Sequence, residues 1–256
     1  MNLQERIKQE ICMIGQRLYT RGFVSGNDGN ISYRLSENEI LCTPTKISKG
    51  FMTPEDLCVV NMKGDKISGI REITSEIRLH LTIYGACPEV KSVVHCHPPY
   101  ATAFGIAREP IPPFILPEIE MQLGEIPVAR YALPGSEEFA QTVLPYVHHS
   151  RIIVLANHGT VSWAPDTVEH AFWRTEMLDA YCQKLLIAKQ TGNIEFLTRA
   201  EAESLLISKH QQGIPDPRIH PETGEIHLVS VFQKYWKESG VKIRNFPWPD
   251  YISHVQ

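Results

Sequence analysis

Apolar residues recur at Ile7, Ile11, Ile14 and Leu18, spacings of 4, 3 and 4 that place them on one face of a helix ending near Gly22. The next stretch, SGNDGNIS, is rich in residues that favour tight turns and left-handed backbone. Short strands are expected at Ile31–Leu35, Glu39–Thr43 and Leu57–Met62, the last closed by the turn residues Lys63, Gly64 and Asp65. Thr74, Ser75 and Glu76 then precede a run in which Ile77, His80, Leu81 and Tyr84 share a helical face, the signature of a helix N-terminus. Lys91–His97 reads as a strand running into Pro98-Pro99, and the prolines suit the start of the helix YATAFGIA. A Pro-rich connection, REPIPPFILPE, follows. Further on, helices are expected at Glu137–Val147, Asp166–Gln190 and Arg199–Gln211, with a strand at Ile152–Leu155.

Helices alternate with strands, yet many connections are too short for right-handed parallel crossovers. The expected fold is therefore α/β, with a mixed, mainly antiparallel sheet covered by helices. Neither an internal repeat nor a second domain boundary interrupts it. Residues 1–195 are read as the main body, and 196–256 as a C-terminal helix and tail packed on it.

Charge removes two partner classes. With 25 Lys+Arg against 29 Asp+Glu the chain carries a net −4 and has no block of like charge, so neither nucleic acid nor an anionic membrane surface is an expected partner. The charged start MNLQERIKQE is unlike a secretory signal and no apolar run is long enough to span a bilayer, which together predict a cytoplasmic protein. The six cysteines stand singly and are expected to be reduced, buried thiols.

Candidate chemistry begins at His95 and His97. In a strand they project to the same side while Cys96 points the other way, a geometry for two imidazoles on one metal. A third imidazole, His158, follows the apolar strand in Asn157-His158-Gly159, and a carboxylate, Glu76, lies at a helix start. Three neutral nitrogens and one carboxylate suit zinc, or Mn2+ or Co2+. At this level Glu76 can equally be a residue that favours a helix N-terminus, and His158 a loop residue. Thr74 and Ser75 at the helix start, with Asn30 and the Thr43-Pro44-Thr45-Lys46 turn, offer donors for a phosphate or carboxylate, or are a cap and two surface turns.

In order, GNIS at 29–32, TPT at 43–45, TSE at 74–76, HCHP at 95–98 and NHG at 157–159 resemble the class II aldolase/adducin superfamily, and within it the L-fuculose-1-phosphate aldolase branch. The resemblance covers roughly residues 3–195. It implies a three-layer α/β/α fold and a homotetramer with active sites between subunits. It further implies zinc on His95, His97 and His158, Glu76 as ligand or catalytic base, and phosphate binding by Asn30, Thr45, Thr74 and Ser75. The implied activity is reversible aldol cleavage of a small phosphorylated ketose. In the pentulose-phosphate 4-epimerase branch the position of Glu76 is similar to aspartate, so glutamate leans towards the aldolases. Other relatives by resemblance are sugar-acid phosphate decarboxylases, a methylthioribulose-phosphate dehydratase and the non-catalytic adducin-like modules.

Three departures stand out. The family's TPTG or TPSG turn reads TPTK, and Lys46 is expected to forbid a strained backbone that only glycine tolerates. Lys46 instead offers a positive charge to a phosphate or carboxylated substrate, or is an exposed lysine without a role. The family's acid tyrosine has no counterpart in IPPFILPEIE, where Glu118 and Glu120 are the available acids. Finally, the tail is long, and its Tyr235 and Tyr251 match no family position.

Overall fold

The computed structural model describes residues 2–232 together with 235, 238, 240, 247, 248 and 251; the remainder of the expected tail lies outside the described residues. Helix α1 (Leu3–Thr20) starts at Asn2, whose side chain accepts from the Glu5 amide at 2.9 Å. Its Ile7, Ile11, Ile14 and Leu18 are all buried. At about 1.5–3 kcal/mol for each such side chain removed from water, this stripe is what holds the helix on the sheet.

Eight strands form one sheet: β1 (Asn30–Arg34), β2 (Ile40–Cys42), β3 (Cys58–Val60), β4 (Lys66–Ser68), β5 (Ser92–Cys96), β6 (Val128–Ala129), β7 (Ile152–Leu155) and β8 (Gly159–Ala164). Their order is β4-β3-β2-β1-β5-β8-β7-β6. Every pairing is antiparallel except β6 with β7. The helices are α2 (Ile77–Ala86), α3 (Pro99–Ala107), α4 (Pro117–Gln122), α5 (Glu137–Gln141), α6 (Val168–Thr191) and α7 (Arg199–Gln211). Val93, Val161, Ile153 and Leu155 face α2 and α5. On the opposite face, Val94 and Cys96 pack with α1 and α6, and Ile152 and Val154 with α3, α4 and α6. The expected mainly antiparallel sheet between two helical layers is therefore present. No helix among the described residues is long and apolar enough to cross a membrane.

Five elements depart from the sequence expectation, the two-residue strand β6 among them. Strand β8 was not expected, because its Thr160 and Ser162 are polar yet fully buried. Ser162 Oγ pays for its burial by donating to the Ala171 carbonyl of α6 at 2.7 Å. Helix α4 lies inside what reads as a Pro-rich connection, since Pro117 occupies the first turn, where a missing N–H costs nothing. Helix α5 ends at Gln141 and continues to 149 as turns, short of the expected Val147. Strand β4 is a short exposed edge.

Beyond α6, helix α7 opens with a reciprocal Thr198–Glu201 capping box and packs Ala202 and Leu206 against Phe114, Ile219, Leu228 and Tyr251. Beside it Lys209, Asp216 and Arg218 form a buried ionic cluster with Glu120 of α4. Glu125 accepts from the Ser230 hydroxyl and, at 3.1 Å, from the Val231 amide. Burial pushes its carboxyl up to about 7, against the opposing pull of Arg218. Because the fold binds this proton more tightly than the unfolded chain does, the neutral form is favoured and stability falls as pH rises from about 4.5 to about 7. Glu125→Gln can still accept from the Val231 amide with its oxygen and donate to the Ser230 hydroxyl with its nitrogen, as a protonated carboxyl would, and removes the ionisation. The variant should be more stable than the parent at pH 8, by about 3 kcal/mol at most, and equal to it near pH 4.5, as read by urea unfolding at the two pH values. Equal stability at pH 8 refutes the assignment.

Candidate active site

Strand β5 lies between β1 and β8, with His95 directly opposite Asn30 on one side and Val161 on the other. His97 follows the strand end, its amide held by the Phe23 carbonyl at 2.8 Å. His158 sits in the tight turn between β7 and β8, next to Asn157 with φ 54°. The turn abuts β5 closely: a Cβ on Gly159 would stand 2.4 Å from the Cys96 carbonyl oxygen and 2.5 Å from His97 Cδ2. Glycine there lets the two histidine-bearing segments meet. Gly29, with φ 72°, does the same for the GNIS turn, where a Cβ would stand 2.9 Å from the His95 carbonyl oxygen.

The three imidazoles converge, each offering one nitrogen within 4.8 Å of the others. His95 Nδ1 lies 2.8 Å from the Thr160 carbonyl oxygen, which can only accept, so the proton sits on Nδ1 and Nε2 presents a lone pair. His97 Nδ1 faces Asp28 Oδ2 at 3.4 Å, and its Nε2 stands 3.3 Å from His95 Nε2. Glu76 closes the group, with Oε1 3.0 Å from His158 Nε2 and Oε2 3.3 Å from His95 Nε2. Burial holds His95 far below the usual imidazole range, at about 3, and lowers His97 as well. Burial alone would raise the Glu76 carboxyl, but His95, His158 and the Asn30 amide outweigh it and hold the group well below its ordinary value. Three imidazoles and a carboxylate crowded together form a set of metal-ligand atoms. A divalent cation fits that set, and Thr160 and Asp28 orient the rings from behind as outer partners of a metal site do.

The anion-binding candidates surround the start of α2. Glu76 is the N-cap residue of that helix, yet its carboxylate makes no capping bond and turns to the histidines. The TPTK turn lies against the segment leading to it, through Thr45 N to Glu72 O at 3.0 Å and Thr74 N to Thr43 O at 3.3 Å. Thr74 is buried, Ser75 and Lys46 are exposed, and Thr45 is partly exposed. Lys46 does take the left-handed backbone, with φ 58°, correcting the expectation that a lysine there forbids it. A non-glycine residue held at positive φ carries a local cost of about 1–2 kcal/mol, so the turn keeps its shape and gains an ammonium group. Asn30 is buried, and one amide hydrogen is already donated to Glu76 Oε2 at 2.7 Å. Glu120 is taken up by Lys209 and Arg218, whereas Glu118 is exposed. Tyr235 packs on Tyr146, and Tyr251 on Phe114 and Trp248.

Several participants escaped the sequence reading. Asp28 reads as a turn residue, and Phe139, whose ring centroid lies 5.2 Å from that of His158, as helix core. Lys49 is buried and donates to the carbonyls of Asn27 (2.9 Å) and Ile47 (2.7 Å), tying the GNIS and TPTK turns together. Burial lowers its basicity to about 8. Lys49 stands between Ser48 and Gly50 and carries no local sign of burial, whereas Asp28, next to the GNIS motif, was the available signal.

This fold has a known home: residues 9–186 match the family model of the class II aldolase and adducin N-terminal domain, and the chain belongs to that family. Within it, the chain is 39% identical over 183 residues to the L-fuculose phosphate aldolase of Methanococcus maripaludis, covering 72% of this chain and 95% of the relative. It is 33% identical over 206 residues to the 3-oxo-tetronate 4-phosphate decarboxylase of Haemophilus influenzae, covering 77% and 95%. Among solved structures, YgbL from Klebsiella pneumoniae superposes with a TM-score of 0.72 at 29% identity over 80% of this chain and 100% of that one. An L-fuculose 1-phosphate aldolase gives the same TM-score at 27% identity, over 78% and 94%.

Proposed function

We propose that this member of the class II aldolase superfamily is a metal-dependent lyase that performs reversible aldol cleavage on a small phosphorylated ketose. The observation that carries this reading is the convergence of His95, His97 and His158, with the Glu76 carboxylate 3.3 Å from His95 and 3.0 Å from His158. His95, His97 and His158 would hold a divalent metal, zinc by donor type or Mn2+ or Co2+, with Glu76 as a further ligand or as the base. Such an ion supplies Lewis acidity towards the substrate carbonyl. Glu76, ionised and hydrogen-bonded to Asn30, handles the proton at the carbon beside that carbonyl once the carbon–carbon bond has parted. Thr74, Ser75 and Thr45 hold the phosphate at the start of α2, where unpaired N–H groups and the helix dipole favour an anion. The second amide hydrogen of Asn30 remains for substrate.

A second reading, decarboxylation of a phosphorylated keto sugar acid, is supported by the 33% identity to the Haemophilus decarboxylase and by Lys46, a cation placed in the TPTK turn. The two reactions share the proton delivery and differ in whether an aldehyde or carbon dioxide departs. The complete donor set favours either over an adducin-like interaction module. Assembly as a homotetramer with sites between subunits, and a cytoplasmic location, belong to the same proposal. The test is a substrate panel on metal-loaded protein, L-fuculose 1-phosphate against 3-oxo-tetronate 4-phosphate, with products identified by mass. Release of a three-carbon ketose phosphate and an aldehyde supports the aldolase, release of carbon dioxide supports the decarboxylase, and turnover of neither rejects both.

Lys46→Met gives a separate outcome. A charge-assisted contact is worth about 1.5–3 kcal/mol, so the Michaelis constant should rise about ten- to a hundredfold with little change in kcat. Parental constants in both Lys46→Met and Lys46→Glu would make the lysine a solvated surface residue.

A further inference from the structure

Strand β1 has a polar face although it is buried. Asn30, Ser32 and Arg34 alternate with Ile31 and Tyr33, and each meets α2. Asn30 Oδ1 lies 2.5 Å from His80 Nε2, Ser32 Oγ lies 2.6 Å from His80 Nδ1 and 2.8 Å from the Tyr84 hydroxyl, and Arg34 donates to the Tyr84 carbonyl at 2.5 Å. His80 and Tyr84 are one helical turn apart on α2, both fully enclosed, and neither touches the imidazole cluster's own metal-facing nitrogens.

We infer that His80 is a positioning residue, which fixes the Asn30 amide and through it the Glu76 carboxylate, at the end of a hydrogen-bond chain that starts at Tyr84. This rests on the reading of Glu76 as the proton-handling group. The direction of every bond in the chain follows from the one before. An amide nitrogen only donates, so Asn30 Nδ2, 2.7 Å from Glu76 Oε2, donates to it and Asn30 Oδ1 is turned towards His80. That oxygen only accepts, so His80 Nε2 carries a hydrogen. Burial holds the ring below its ordinary range, at about 4, so it is neutral and Nδ1 is an acceptor. Ser32 therefore donates to Nδ1 and accepts from the Tyr84 hydroxyl. All four donors point towards the carboxylate, and each bond polarises the next.

The amide of Asn30 has two ends of similar size, and Glu76 and His80 select the same orientation from opposite sides; without His80 the oxygen end is left unheld and the amide is freer to turn. A flipped amide would set an oxygen against the carboxylate oxygen and push it away. A displacement of that kind at a reacting group lowers turnover without removing the groups that bind substrate.

Two near-isosteric variants separate this role from simple filling of the core. His80→Gln places an amide nitrogen near the position of Nε2 and keeps the donor to Asn30. His80→Asn reaches only as far as Nδ1 and loses it. On zinc-loaded protein, with whichever of the two panel phosphates is turned over, His80→Gln should keep kcat within about threefold, whereas His80→Asn should lose about ten- to a hundredfold in kcat with KM within about threefold. Equal kcat in His80→Asn and the parent, or an equal loss in both variants, overturns the inference. Long-range 1H–15N correlation on histidine-labelled parent protein reads the tautomer without any variant: His80 should be the Nε2–H form, and an Nδ1–H ring overturns the chain even where His80→Asn fails to fold. Glu76→Gln serves as the control for the underlying reading. Parental turnover there defeats the role of Glu76 and the relay with it, while an inactive Glu76→Gln beside a fully active His80→Asn defeats the relay alone.

Discussion

Glu76→Gln is expected to retain its metal and lose turnover by about a hundredfold or more. The glutamine has the same length and still accepts from the Asn30 amide, which lies 2.7 Å from Oε2 in the parent. What it cannot do is take up and return a proton. Three imidazoles remain to hold the ion, so metal content by elemental analysis should stay close to one per chain even if affinity drops. Steady-state kcat on the substrate identified by the panel reads the loss. Parental turnover with full metal would reject Glu76 as the proton-handling group. Loss of both metal and turnover would make Glu76 a ligand first.

The second large effect is expected from His158→Ala. This side chain is only partly buried and sits in a turn, so its removal leaves the sheet intact and costs the ring contacts with Phe139, His95 and His97 and the contact with Glu76. One of three nitrogen donors disappears. Removal of an outer partner that merely orients a ligand commonly costs 10–100-fold in metal affinity, so removal of a ligand should exceed about a hundredfold. Metal should be lost on dialysis, activity should fall to background, and the circular-dichroism spectrum should match the parent. His97→Ala should behave alike, because its ring is also partly exposed and belongs to the same group. Retention of one metal per chain by both variants would place the ion elsewhere. Chelation of the parent should reproduce the inactive state, and zinc or manganese should restore it.

Much of this molecule is readable from local patterns. The stripe Ile7, Ile11, Ile14 and Leu18 predicts α1 and its buried face, and α7 has the expected bounds, Arg199–Gln211. His95 and His97 share a side because strand periodicity is two, and Cys96 falls into the core behind them. These are properties of a few consecutive residues, and burial of one face is enough to enforce them. The misses have an equally local cause. Buried Thr160 and Ser162 hide β8, since a polar residue reads as exposed until its partner on another element is known.

The alternation in Asn30-Ile31-Ser32-Tyr33-Arg34, set against His80 and Tyr84 one turn apart, was a visible signal for the buried relay, but nothing within either segment says that they touch. By itself the sequence determined most of the elements, the shared face of the HxH pair and, through five ordered motifs, the family. Only the tertiary structure decided that Glu76 turns away from its helix cap to meet His158, 82 positions along the chain, and that Lys46 keeps a left-handed turn. It also spent Glu120 on Lys209 and Arg218. The reason is physical: periodicity is set by backbone geometry within one element, whereas the site is assembled by strand order. The antiparallel neighbours β1, β5, β8 and β7 must pair across long stretches of chain before Asn30, His95 and His158 can share one small volume.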